Sequence, residues 1–196
     1  MAGRKIGIYS GAFDPIHAGH VAFAEQAGAS VLLDHIFILP EPVSRSHQKV
    51  APLPDRLAMV RLAIAEAPGL SILEPPAGQF SIARTLPWLQ QQFTGDALFF
   101  LIGSDVVATF AYRWPGLEML LQQVHVVIGL RHDDRRADVE DQLYAMYLEL
   151  AIQPHFTVLD VPKPTLSATH IRQGRHVIND LHPQVATYIQ EYSLYV

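Results

Sequence analysis

Short apolar runs alternate along this chain with longer stretches in which apolar residues recur every three or four positions. Ile6-Gly7-Ile8-Tyr9, His35–Leu39, Leu70–Leu73, Ala97–Ile102, Val124–Leu130 and Thr157–Val161 are runs of the first kind and predict buried strands. Val21–Ala27, a stretch from about Asp55 to the Pro68-Gly69 stop, a stretch from Ser81, Arg135–Leu150 and about His182–Tyr192 predict helices. In the third helix Ile82, Leu86, Leu89 and Phe93 form the apolar stripe, with Ser81 as its N-cap. Pro87 falls inside that stripe and predicts a kink or a later first turn. Pro42, Pro52 and Pro54 make Glu41–Pro54 a long loop, and Ser167 opens a short helix.

This alternation predicts an α/β fold with a parallel, doubly wound, Rossmann-like sheet in a single domain over 1–196. The helical part from about 165 to 196 belongs to the same unit. Such sheets bind ligands beyond the carboxyl ends of their strands, at the point where the strand order reverses. Ser10–His20, the loop after Leu39, Gly103-Ser104-Asp105 and Arg131 all follow strands and are expected to share one pocket.

Composition narrows the classes. The chain has 196 residues, 49% hydrophobic and 17% charged, which excludes a disordered chain. No apolar run nears the ~20 residues of a membrane span. The basic Met1–Lys5 start is followed by a run too short for a signal-peptide core, so a cytoplasmic protein is expected. Without cysteine, disulfide frameworks and cysteine-based metal sites are excluded. A net charge of -5 without a basic block argues against a nucleic-acid polymer or a membrane as partner. Small phosphorylated ligands need only a local positive pocket.

The chemistry concentrates in Gly11-Ala12-Phe13-Asp14-Pro15-Ile16-His17-Ala18-Gly19-His20. A strand, a glycine-containing turn and a helix N-terminus make an anion site. His17 and His20, three apart, fall on one face of a helix turn, where both can donate to a phosphate. Gly11 and Gly19 let backbone approach a ligand. Lys49 and Arg172 can hold phosphates. Blander readings exist for each group. The two histidines could be a packed pair or, with Asp14, a metal site. Ser167-Ala168-Thr169 could be a helix cap, Gly103-Ser104-Asp105 a strand-ending turn, Trp114 core, and Arg56 with Arg61 a solvated helix face.

Taken in order, the motifs resemble the His-x-Gly-His nucleotidyltransferase superfamily, and within it the nicotinate-nucleotide adenylyltransferase family. Ser10–His20 resembles its first motif. Asp55-Arg56-Leu57-Ala58-Met59 resembles its Arg-x-x-Met helix, and Gly103-Ser104-Asp105 with Trp114 its Gly-x-Asp turn and following tryptophan. Leu166–Arg172 resembles its second phosphate motif, and His182-Pro183, Tyr188-Ile189 and Leu194-Tyr195 its terminal pattern. The resemblance implies AMP transfer from ATP to nicotinate mononucleotide, with Mg²⁺ carried on the ATP. It implies His17 and His20 as catalytic. It assigns Gly11, Ala12, Phe13, His17, Gly19, His20, Gly103, Asp105, Ser167, Thr169, Ile171 and Arg172 to ATP. It assigns Lys49, Arg56, Ser81, Ile82, Asp105, Trp114 and Arg131 to the acceptor, with no resident metal. ATP and a mononucleotide are the expected partners, and a homo-oligomer is compatible. Four departures stand out, one of them a segment between Arg172 and Gly174 about three residues shorter than is usual. Ser10-Gly11-Ala12 replaces Gly-Gly-Thr or Gly-Gly-Ser, Phe80-Ser81-Ile82 replaces the Ser-Tyr-Thr that holds the nicotinate end, and Ala168 replaces a serine. Pantetheine-phosphate adenylyltransferase and a non-catalytic nucleotide-binding regulator therefore stay open beside the leading reading.

Overall fold

A computed structural model of the chain describes residues 3–42, 50–74, 80–131, 134–161 and 181–195. Its centre is a six-stranded parallel sheet in the order β3-β2-β1-β4-β5-β6. The strands are β1 (Lys5–Gly11), β2 (His35–Pro40), β3 (Leu70–Ile72), β4 (Ala97–Gly103), β5 (His125–Gly129) and β6 (Phe156–Leu159). β1 lies between β2 and β4, pairing Gly11 with Pro40 and Tyr9 with Leu101. The chain winds outward from β1 in one direction and later from β4 in the other. The point of reversal therefore lies between the ends of β1 and β4. The doubly wound parallel sheet expected from the alternation is the fold found.

Side chains along the strands alternate between two cores, as a period of two requires. On one face Ile6 and Ile8 join Phe100, Ile102, Val126 and Ile128. Against them pack α3 (Ile82–Gln92), α5 (Leu117–Gln123) and α6 (Arg136–Glu149). On the other face Tyr9 joins Ile36, Ile38, Leu101 and Val127. They are covered by α1 (Ala18–Val31), α2 (Leu53–Ala63) and α7 (Pro183–Glu191). Each buried aliphatic side chain contributes about 1.5–3 kcal/mol by leaving water.

Several boundaries differ from expectation for local reasons. α1 begins at Ala18, because His17 is already its N-cap, and continues to Val31. α2 begins at Leu53, with Pro54 in the first turn, where its missing N–H costs nothing. Pro87 stands inside α3, which runs continuously from Ile82. Two elements between β4 and β5 were not anticipated. They are α4 (Ser104–Val107), which runs into a 3₁₀ turn (Ala108–Tyr112), and α5. Among the described residues no helix is long and apolar enough to cross a membrane.

Candidate active site

The turn after β1 is shaped by Phe13. Its φ of 48° lies in the left-handed region, a conformation that costs a bulky residue about 1–3 kcal/mol. The surroundings over-determine it. The Phe13 ring is buried and edge-on to Tyr9 at 5.2 Å and to His20 at 5.3 Å. Phe13 thus serves the site by bracing the His20 ring.

His17 and His20 do share one face. They occupy the N-cap and third positions of α1, with ring centroids 3.7 Å apart. The His17 backbone N–H donates to His20 Nδ1 at 3.2 Å. Burial, then His17, then the Arg131 charge push the His20 imidazole well below its usual pKa. His20 is therefore neutral near pH 7. Because Nδ1 accepts, the ring proton resides on Nε2, which makes that nitrogen a hydrogen-bond donor. The dipole of α1 adds positive potential at the same place.

Behind the turn lies a buried network. Arg56 is 0% exposed. Its guanidinium donates to the carbonyls of Ala51 (2.9 Å), Ala12 (2.7 Å), Glu41 (2.8 Å) and Pro42 (3.1 Å). Burial lowers its pKa, against the opposing charges of the Asp14 and Glu41 carboxylates. Arg56 was expected on the acceptor or on a solvated face. The structure puts it beneath the loops, joining the turn after β1 to the segment after β2. Glu41 accepts the Ser10 hydroxyl at 2.7 Å. Asp14 Oδ1 accepts the Ala51 N–H at 2.9 Å and the Tyr195 hydroxyl at 2.6 Å. Asp14 Oδ1 is thereby engaged by two protein donors. Among the described residues no group of three or more His, Asp or Glu could hold a metal ion.

The other rim follows β4 and β5. Arg131 Nε donates to Asp105 Oδ1 at 2.9 Å, and the Arg131 backbone N–H donates to Ser104 Oγ at 2.8 Å. The Ser104 hydroxyl donates to Asp134. A Cβ on Gly103 would lie 2.3 Å from Asp105 Oδ1 and 2.7 Å from Arg131 Nε, so a larger residue there would push this ion pair aside. Asp105 and Arg131 are thus brought together, and Arg131 is near enough to influence His20.

The turn that follows Trp114 meets the start of α3. The Leu117 N–H donates to the Trp114 carbonyl, and Gly116, at φ 93°, packs so tightly that a Cβ there would lie 2.5 Å from the Ala83 nitrogen. Trp114 is half-buried, its Nε1 donating to Thr109 at 3.2 Å and its ring edge-on to Phe110. Ser81 is the N-cap residue of α3 by position, but its hydroxyl makes no cap bond and instead accepts from Arg84 Nε at 3.3 Å. Ser81 thus holds the expected N-cap position without a side-chain cap bond. Ile82 is buried, so only its backbone could meet a ligand. Lys49, Ser167, Thr169, Ile171 and Arg172 lie outside the described residues.

Sequence reasoning passed over Glu41 and Tyr195 as site residues. Glu41 carried a signal, an acidic residue between two prolines directly after a buried strand. Tyr195 stood only in the terminal Leu194-Tyr195 pattern, with nothing to tie it to Asp14, because that partner is 181 residues away.

The family model described as cytidylyltransferase-like matches residues 8–174. The chain belongs to this family. Within it, a probable nicotinate-nucleotide adenylyltransferase of Neisseria meningitidis serogroup B is 30% identical over 98% of both chains. A protein of the same description from Rhodopirellula baltica is 32% identical, over 100% of this chain and 95% of its own. The fold is similar to that of the Plasmodium falciparum nicotinic acid mononucleotide adenylyltransferase complexed with NaAD. That structure has a TM-score of 0.79 at 18% identity and covers 98% of this chain and 97% of its own.

Proposed function

We propose that this protein transfers AMP from ATP to nicotinate mononucleotide, giving nicotinate adenine dinucleotide and pyrophosphate, a step of NAD biosynthesis. The observation that carries the reading is the His17–His20 pair at the point of strand reversal, with His20 neutral and donating through Nε2. A phosphate oxygen of the acceptor attacks the α-phosphorus of ATP, and the bond from that phosphorus to the pyrophosphate oxygen breaks. Negative charge grows on the departing bridging oxygen and on the α-phosphoryl oxygens. The chain's task is positioning and charge stabilisation, without a covalent intermediate. His20 Nε2–H donates to the developing charge, and His17 and the first turn of α1 hold the phosphates. Ser167, Thr169, Ile171 and Arg172 complete the ATP site in this reading, and Lys49 meets the acceptor. Mg²⁺ would be carried in by ATP rather than held in a protein cage, and would supply positive charge against that of the phosphates. The nearby carboxylates suit that arrangement, since Asp14 faces Ala51 and Tyr195 while Asp105 faces Arg131.

The acceptor's ring carboxylate is read as held by backbone N–H groups at the start of α3, which the Ser81 hydroxyl does not cap, with Trp114 as the ring platform. Backbone donors suit a carboxylate and leave an amide's N–H₂ without an acceptor. The test is pyrophosphate release from ATP with nicotinate mononucleotide, nicotinamide mononucleotide and phosphopantetheine. The acid should exceed the amide in kcat/KM by roughly tenfold or more. Equal values for acid and amide, or activity with phosphopantetheine alone, would remove the acceptor assignment.

A further inference from the structure

We propose that Tyr195 is a positioning residue for the reaction, acting through Asp14 on the histidine pair. α7 lies beside α2, where the Tyr188 hydroxyl donates to Asp55 at 2.9 Å. The chain then turns through Ser193 (φ 49°) and Tyr195 (φ 65°), both in the left-handed region that non-glycine residues avoid. The Leu194 N–H donates to the Ile189 carbonyl at 3.0 Å and fixes the turn. Leu194 and Tyr195 pack on the cluster that contains Tyr9, Phe13 and Ile16. This conformation delivers the Tyr195 hydroxyl to Asp14 Oδ1 at 2.6 Å, a short bond to a carboxylate of the stronger, charge-assisted kind.

Asp14 stands between two parts of the machinery. Before it is Phe13, whose ring braces His20. After it the chain runs through buried Pro15 and Ile16 into His17, the N-cap of α1, whose N–H fixes the orientation of the His20 ring. The Ala51 N–H holds the same carboxylate oxygen from the side of α2. Two donors on one oxygen pin the carboxylate, and the backbone on either side follows. Tyr195 touches no reacting atom; it sets where His17 and His20 stand. Small displacements of such groups are expensive, up to about a hundredfold in rate per ångström.

This inference rests on the proposed adenylyl transfer for its kinetic readout and is independent of it for its spectroscopic one. Tyr195→Phe keeps the ring and removes the donor. It is expected to lower kcat by about tenfold while the KM for ATP moves less than about threefold. The His20 ring nitrogen resonances should shift in the ligand-free protein. Asp14→Asn retains an acceptor oxygen without the charge. Its effect on those resonances should combine non-additively with that of Tyr195→Phe. His20 resonances unchanged in Tyr195→Phe, or additive effects in the double variant, would overturn the proposal even if the melting temperature fell. Shifted resonances in a protein that adenylylates no acceptor would support the positioning role and remove the reading of the reaction instead.

Discussion

The role proposed for His20 depends on its surroundings. An exposed imidazole would be partly protonated near neutrality, whereas here burial, His17 and Arg131 all favour the neutral ring. The His17 N–H then settles which nitrogen keeps the proton. In the proposed mechanism His20→Ala removes the donor to the developing charge, and it is expected to lower kcat by ~10²–10³ with little change in ATP affinity. Steady-state kinetics with parallel calorimetry checks this, and turnover within a few-fold of wild type would reject the role. The triphosphate should move the imidazole pKa the other way, since nearby anions favour the charged ring. Titration of the His20 ring by NMR is expected to show a higher midpoint with ATP bound than without. At Gly103 the limit is steric. Gly103→Ala forces a Cβ into the Asp105–Arg131 pair and should lower activity while leaving the sheet intact. A wild-type kcat/KM for that variant would show that the ion pair can move without consequence.

Among the elements, α2 does more than cover the sheet. Through Arg56 it ties together the segments after β1 and β2. Lysine offers a point charge in place of the planar fork and cannot reach all of these carbonyls. Arg56→Lys should therefore destabilise by about 2–4 kcal/mol, seen as a lower denaturation midpoint. A midpoint shift of under about 0.5 kcal/mol would mean that the carbonyls find other donors. The Arg56 case shows where sequence stops speaking. Its position was read, but a buried arginine and an exposed one look alike in a one-dimensional pattern, because burial depends on Ala12, Glu41, Pro42 and Ala51 arriving from elsewhere. The strands were legible because β1, β4 and β5 are buried on both faces and so read as unbroken apolar runs. The His17–His20 face was legible because it is local, set by helix spacing alone. α5 was legible in principle, since Leu117, Leu120 and Leu121 make a buried stripe after Gly116, but the stripe is only one face of a seven-residue helix. The stripe of α3 outweighed Pro87, as packing on the sheet overrides local propensity.

For the whole molecule, His20 and His125 act together on stability. His125 is also pushed below its usual pKa, by burial first and then by His155 and Lys5. In the unfolded chain both would protonate near pH 6.5, while in the fold they resist. The unfolded state thus binds more protons as pH falls, so stability is retained above about pH 6.5 and declines below it until the folded pKa values are reached. Each group can contribute at most about 1.4 kcal/mol per pH unit in that window. A melting temperature that is flat between pH 7 and pH 5 would contradict these assignments. The strand order has a further consequence for the growing polypeptide. β1 can pair with β2 once Pro40 has been made, but its other edge must wait for β4, which ends at Gly103. At about 5–20 residues per second, that edge stays uncovered on the ribosome for roughly 3–13 s. During that interval an apolar strand is open to any passing strand, so synthesis of this chain at high expression should be sensitive to the supply of nascent-chain chaperones.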